Sequence, residues 1–324
     1  MRLRILNAQD IFLALPMPEA IEAMRIAFTE LARGNTQTPQ RLVIHARDGD
    51  SLFMPAFLPE SNALAQKIVS VFPNNPQKGL PTINGLIIVI DADNGQPKAL
   101  LEGAALTALR TGAASGLATD LLARADSHIL TILGAGGQAY HQVKAVLAVR
   151  PITEVIIVSK HGQSSRTLAQ RLRDEDIHAR ATEDIRAAVQ QADILTTVTN
   201  STTPVFLDAD ITPGLHINLV GAYTSNMQEA PAATIMRARV FVDDLMAAVH
   251  EAGDIIKPIR ANLMSSNDLA GALGGLVTGH IEGRQSSKQI TIFKSVGLAV
   301  QDVAAATKAL YRAKELGLGQ EIEL

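Results

Sequence analysis

Along residues 18–32 the apolar positions Ile21, Met24, Ala27, Phe28 and Leu31 recur at three- and four-residue intervals, the pattern of one helix face, and Gly34-Asn35 ends it. Short apolar stretches at 42–44, 51–54 and 66–72 predict strands. Two more, 86–90 and 97–101, flank Asp91-Ala92-Asp93-Asn94-Gly95-Gln96, a hairpin turn signal. An Ala- and Leu-rich helix is predicted over 105–122. From residue 128 the pattern becomes an alternation. Strands are predicted at 128–133, 154–159, 193–198, 216–220 and 239–243, with a weaker one at 177–181, and helical stretches lie between them. Such alternation specifies a parallel sheet with helices on both faces. A last helix over 296–316, with Ala299, Val300, Val303, Ala306 and Leu310 at helical spacing, follows the completed alternating unit and is expected to return to the first part of the chain.

The first strand of the alternating unit, His128 to Leu133, runs into Gly134-Ala135-Gly136-Gly137-Gln138-Ala139 and then a helical stretch over 140–149. Strand, glycine turn and helix start stand in the order that dinucleotide binding needs. Gly134 permits the tight turn, Gly136 lets backbone approach a pyrophosphate, and Ala139 lets the helix pack close to the strand. The helix N-terminus offers free N–H groups and partial positive charge to phosphates. Glycine turns are common, so the context carries the inference; the bland alternative is an ordinary strand–helix turn. The expected class is therefore α/β: a doubly wound Rossmann domain over 121–291, plus a discontinuous α+β domain of 1–120 and 292–324.

An acid after the second strand, about 20 residues beyond the glycines, selects a ribose 2′-hydroxyl over a 2′-phosphate. Here the second strand ends in Ser159-Lys160-His161-Gly162-Gln163-Ser164-Ser165-Arg166, with no acid. Ser159, Lys160, His161 and Arg166 suit a phosphate, which favours NADP(H), with NAD(H) as the alternative. The competing view of these residues is a solvated polar turn.

Composition narrows the partners. Of 324 residues, 29 are basic and 32 acidic, a net charge of −3, so no nucleic-acid partner is expected. There is no cysteine, which removes disulfides and thiolate chemistry and fits a reducing compartment. Neither a signal segment nor a membrane span is evident, and a cytoplasmic protein without a membrane partner is expected. No metal site is expected. With 8 Phe, 3 Tyr and no Trp, a substrate pocket would be mostly aliphatic, Phe53 and Tyr223 being exceptions.

Several stretches resemble the ornithine cyclodeaminase/μ-crystallin family over nearly the whole chain. They are Phe53-Met54-Pro55-Ala56, Gln66-Lys67-Ile68-Val69, Gly79-Leu80-Pro81-Thr82, Leu109-Arg110-Thr111-Gly112-Ala113-Ala114-Ser115, the Gly134 loop, Gly214-Leu215-His216-Ile217-Asn218, Val242-Asp243-Asp244, and the run from Ile290 through Lys294 to Asp302. The resemblance implies a Rossmann domain, a substrate and dimerisation domain, a homodimer, and hydride exchange between a nicotinamide and a C–N carbon beside a carboxylate. It also implies a substrate pocket with Arg110, Arg41 and Lys67, although each taken without the resemblance reads as a surface charge before it reads as a ligand. A guanidinium fork matches a carboxylate. Lys67 lies in an apolar strand, where a buried amine needs a partner and shifts its pKa readily. Thr82 is a candidate to hydrogen-bond substrate or Lys67. Lys294, in a Phe-Lys-Ser turn, is expected near the nicotinamide or capping the last helix, and Asp302 one helical face away from the core, orienting a basic residue. Thr111, Thr197, Val198 and Val220 complete the expected cofactor set.

One departure bears on the chemistry. Cyclodeaminases of this family carry an Asp, then a Lys four residues on, after their Asn-x-x-Gly-x stretch; here those positions are Tyr223 and Met227. A phenol with pKa near 10 is a poor base at neutral pH, though it can donate a hydrogen bond. Glu229, nearby, matches a general family position and is expected to be structural. The expectation is an NAD(P)H-dependent reductase of cyclic imino acids, Δ1-pyrroline-2-carboxylate or Δ1-piperideine-2-carboxylate to L-proline or L-pipecolate. The alternatives are an ornithine cyclodeaminase, an alanine dehydrogenase, and a non-catalytic NADPH-binding protein of the crystallin type.

Overall fold

The computed structural model describes residues 2–324 and divides into two units, Met1–Arg110 with Leu298–Leu324, and Thr111–Gly297.

The first unit is built on a seven-stranded sheet. Its order is Gln320–Glu323, Arg2–Leu6, Pro97–Glu102, Ile83–Asp91, Ala63–Val71, Asp50–Leu58, Leu42–His45, with Arg2–Leu6 and Pro97–Glu102 parallel and the other neighbours antiparallel. The predicted hairpin across Asp91 to Gln96 is present; the short strand predicted at 51–54 is part of the longer Asp50–Leu58, and that predicted at 66–72 overlaps Ala63–Val71, which ends one residue earlier. On one face Met54, Ala56, Leu58, Ala63, Ala65, Ile87 and Val89 are buried beneath helices Met17–Ala32 and Ala299–Leu316. Strand periodicity puts Lys67 on that same face, between Met54 and Ile87 on the neighbouring strands. The opposite face carries the cross-strand row Leu42, Phe53, Ile68, Leu86, whose two ends are 61% and 51% exposed.

The second unit holds an eight-stranded sheet with every pairing parallel. Its order is Gly271–Ala272, Arg239–Val242, Thr291–Lys294, His216–Leu219, Ile194–Thr197, Ile129–Leu133, Glu154–Val158, Ala179–Thr182. The strand order reverses between Ile129–Leu133 and Ile194–Thr197, the place where doubly wound sheets take ligands at their carboxyl edge. The central strands are buried throughout, as in a sheet covered on both faces, and carry buried polar residues such as Thr131, Thr196, His216 and Asn218 among their apolar ones.

Two expectations are corrected. Residues 291–294, read as a turn entering the last helix, form a central strand between His216–Leu219 and Arg239–Val242. Four residues carry too little periodicity to distinguish a buried strand from a turn. The second unit consequently extends to Gly297, past the expected limit at 291. At the other end the division falls after Arg110 rather than 120, inside the continuous helix Gly103–Leu122, where nothing in the local pattern marks a boundary. Among the described residues no helix is long and apolar enough to cross a membrane, and no cluster of potential metal ligands occurs.

Candidate active site

In the first unit three ionisable groups meet beneath the sheet. Lys67 is 3% exposed, and its Nζ lies 2.5 Å from Oδ2 of Asp302. Arg110, on helix Gly103–Leu122, donates from Nε to Oδ1 of the same carboxylate at 2.9 Å and from Nη1 to Oε1 of Gln301 at 2.7 Å. Asp302 and Gln301 lie in the first turn of Ala299–Leu316 and are fully buried; Oε1 of Gln301 also accepts from the backbone N–H of Leu298. One carboxylate thus serves two cations, and the expectation that Asp302 sits away from the core is wrong. The stretch from Ala299 to Ala306 contains no charge except Asp302, and such a segment is buried all round. A buried carboxylate needs partners, so composition carried the missed signal.

Burial pulls the Lys67 ammonium down from 10.5 to about 8; Asp302 holds it up, while Arg110 and Arg41 push it further down. The amine therefore carries its proton at neutral pH and releases it just above. Because this value lies below that of the unfolded chain, Lys67 opposes folding below about pH 8, and the opposition is released as pH rises from 8 to 10.5. Arg41, just before strand Leu42–His45, is half-buried and belongs electrostatically to this cluster. Thr82 is half-buried just before strand Ile83–Asp91, and its backbone carbonyl accepts from Phe72 N–H.

In the second unit the glycine turn follows Ile129–Leu133 and precedes helix Ala139–Leu147. Gly134 has φ +101° and would drive a Cβ within 2.7 Å of the Val198 carbonyl. Gly136 and Gly137 are exposed and have open space where a Cβ would stand. Ala135 and Gln138 are half-buried beside them, and Ala139 is buried against the sheet. That geometry fits a pyrophosphate at the helix start. At the end of Glu154–Val158, Lys160 and His161 are exposed; the Ser159 hydroxyl accepts from Ser165 N–H, and Arg166 pairs with Glu183 at 3.6 Å. Thr197, Val198 and Val220 lie at the carboxyl ends of Ile194–Thr197 and His216–Leu219, and Thr111 is buried in its helix. Tyr223 is 42% exposed in the loop after His216–Leu219.

Lys294 does not reach outward. As the last residue of a central strand it is fully buried, with Nζ 3.3 Å from Asp254 Oδ2 and donating to the carbonyl of Leu219 at 3.2 Å. Nor does it cap the last helix. Three further carboxylates, Glu229, Asp243 and Asp254, are also fully buried here. Asp243 Oδ2 accepts from Ser295 Oγ and from the N–H groups of Val296 and Gly297. Burial pushes the Glu229 and Asp243 carboxyls above their ordinary range, against the pull of Lys294 and of their backbone donors.

The chain as a whole is similar to known proteins. Residues 2–316 match the profile of the ornithine cyclodeaminase/mu-crystallin family. A Δ1-pyrroline-2-carboxylate reductase from Bacillus cereus is 40% identical over 311 residues, covering 95% of each chain. Among solved structures, Thermococcus litoralis Δ1-pyrroline-2-carboxylate reductase in complex with NADH and L-proline has a TM-score of 0.95 at 36% identity, covering 99% of this chain and 100% of that one. An archaeal alanine dehydrogenase dimer with bound NAD has a TM-score of 0.94 at 33% identity, covering 100% of both chains.

Replacing Asp302 by Asn leaves two buried cations without their anion. Urea unfolding at pH 7 is expected to show a loss of about 3–5 kcal/mol. The loss narrows towards pH 9, where Lys67 has given up its proton in both proteins.

Proposed function

The chain belongs to the ornithine cyclodeaminase/mu-crystallin family, and from that premise we propose that it is a pyridine-nucleotide-dependent oxidoreductase acting on C–N bonds that reduces Δ1-pyrroline-2-carboxylate to L-proline. The observation that carries the proposal is the buried Lys67–Asp302–Arg110 cluster, which joins a proton-bearing amine to a guanidinium suited to a carboxylate. Arg110 and Arg41 hold the substrate carboxylate. Asp302 and Gln301 fix the Arg110 fork, so orientation is set before substrate arrives. When bound, the reduced nicotinamide supplies the hydride that reduces the C=N carbon. The nitrogen ends as a secondary amine, and Lys67 holds the proton it needs when the imine arrives unprotonated. Thr82 helps to hold substrate or Lys67.

Reduction of a preformed imine needs no further acid–base group. Release of ammonia from ornithine does, and at the position where cyclodeaminases carry an aspartate this chain has the exposed Tyr223, a hydrogen-bond donor and no base. Exposed Lys160 and His161, with no acid after Glu154–Val158, support a preference for NADPH over NADH. The apolar row Leu42, Phe53, Ile68, Leu86 supports a homodimer with a second copy packed on that sheet face, since exposed contiguous apolar surface marks an interface.

Purified protein with NADPH and Δ1-pyrroline-2-carboxylate is expected to consume both and to form L-proline, with kcat/KM falling as pH rises through about 8, where Lys67 loses its proton. Lys67→Met removes that limb and slows turnover by about 100-fold or more. No nucleotide oxidation with either the five- or the six-membered imine would overturn the proposal. Lys160→Glu is expected to raise the KM for NADPH about tenfold while leaving that for NADH within twofold; an equal effect on both excludes 2′-phosphate recognition there. Sedimentation equilibrium is expected to give a dimer, and Leu86→Lys a monomer; a monomeric wild type refutes the interface.

A further inference from the structure

We propose that Glu229 is a positioning residue for the nicotinamide half of the dinucleotide. The inference rests on the pyridine-nucleotide assignment above and extends it to a residue with no expected contact to cofactor or substrate. In a doubly wound sheet the glycine turn and the second strand serve the adenosine half, and the strands beyond the reversal serve the other half. Here those are Ile194–Thr197 and His216–Leu219, and Glu229 joins the loops that leave them. Its Oε1 accepts from the N–H and hydroxyl of Thr199, at 2.6 and 2.9 Å, and its Oε2 from the N–H groups of Gly221 and Ala222, at 2.7 and 3.1 Å. All four donors converge on one carboxylate that is fully buried.

The joint is tight on every side. A Cβ at Gly221 would stand 2.0 Å from the Thr199 carbonyl and 2.6 Å from Oε1 of Glu229, so the two loops touch through a position only glycine fits. The glycine turn bears on the same point, since a Cβ at Gly134 would meet the carbonyl of Val198 at 2.7 Å and Thr199 Cγ2 at 3.0 Å. Behind Glu229, Asp254 Oδ1 accepts from the N–H groups of Glu229 and Ala230. Lys294 then links Asp254 to the carbonyl of Leu219, two residues before Gly221. Glu229, Asp254 and Lys294 thus hold the segment 219–222 from both ends. The backbone of Val198, Thr199, Val220 and Gly221 is thereby fixed as the surface beside which a nicotinamide ring lies.

Glu229→Gln keeps the volume and leaves one acceptor oxygen for donors that now use two. The test compares NADPH and NADH, titrated by nucleotide fluorescence, with 2′-phospho-ADP-ribose and ADP-ribose, which lack the nicotinamide, titrated by calorimetry. The expected result is at least a tenfold rise in the Kd of the preferred dinucleotide with its nicotinamide-free counterpart unchanged within twofold. Thr199→Val, which removes one donor and spares the backbone bonds, is expected to show the same contrast at about threefold, and serves if Glu229→Gln does not fold. Equal weakening of dinucleotide and fragment assigns Glu229 to general stability and overturns the proposal, as does unchanged binding of both. A wild-type protein that binds the fragments but gains nothing from the nicotinamide also overturns it. Wild type that binds none of the four removes the cofactor assignment itself, a separate failure.

Discussion

Two cations and one carboxylate are enclosed beneath the sheet of the first unit, and most of that unit's architecture can be understood from the need to keep them together. Asp302 stands 2.5 Å from Lys67 and 2.9 Å from Arg110. In a medium of low polarity an unpaired charge is costly, and removal of one partner leaves the others stranded. Lys67 comes from a central strand, Arg110 from the helix that leaves the sheet, and Asp302 from a helix almost two hundred residues later in the chain. The return of the C-terminal segment to the first unit is therefore a requirement of the site as well as of the core. Without Asp302 the inward face of strand Ala63–Val71 would present a bare ammonium to a guanidinium.

The same balance sets the chemistry. Burial pulls the Lys67 ammonium down and Asp302 opposes that pull, while Arg110 and Arg41 add to it, and the balance lies at about 8. A group poised one unit from neutral pH is suited to proton transfer, whereas an exposed lysine holds its proton too firmly. The second unit solves a related problem with opposite sign. Glu229, Asp243 and Asp254 are buried acids whose charge is met mainly by backbone N–H groups. They tie the loops at the carboxyl edge of the parallel sheet to one another, with Lys294 as the nearest cation.

Much of this is legible in the amino-acid sequence. The change of pattern at residue 128, the glycine turn and the hairpin across Asp91 to Gln96 each obey local rules of period and turn chemistry, and the structure has them in place. Lys67 stood out because a lysine in an apolar strand conflicts with its surroundings. Residues 291–294 were misread because a four-residue strand has no period to detect, and with that strand went the burial of Lys294. Asp302 was misplaced for another reason: a helix spectrum assigns faces from apolar spacing, and a segment of alanine and valine has no polar side against which to set an acid.

The sequence by itself determined the α/β class, the nucleotide-binding turn, the absence of an acid after Glu154–Val158 and the replacement of the cyclodeaminase aspartate by Tyr223, since each depends on residues adjacent in the chain. The tertiary structure decided which charges share a counterion. Coulomb energy and desolvation depend on distances through space, and the distance from Lys67 to Asp302, or from Glu229 to Thr199 and Gly221, is fixed only when segments far apart in sequence close on one another.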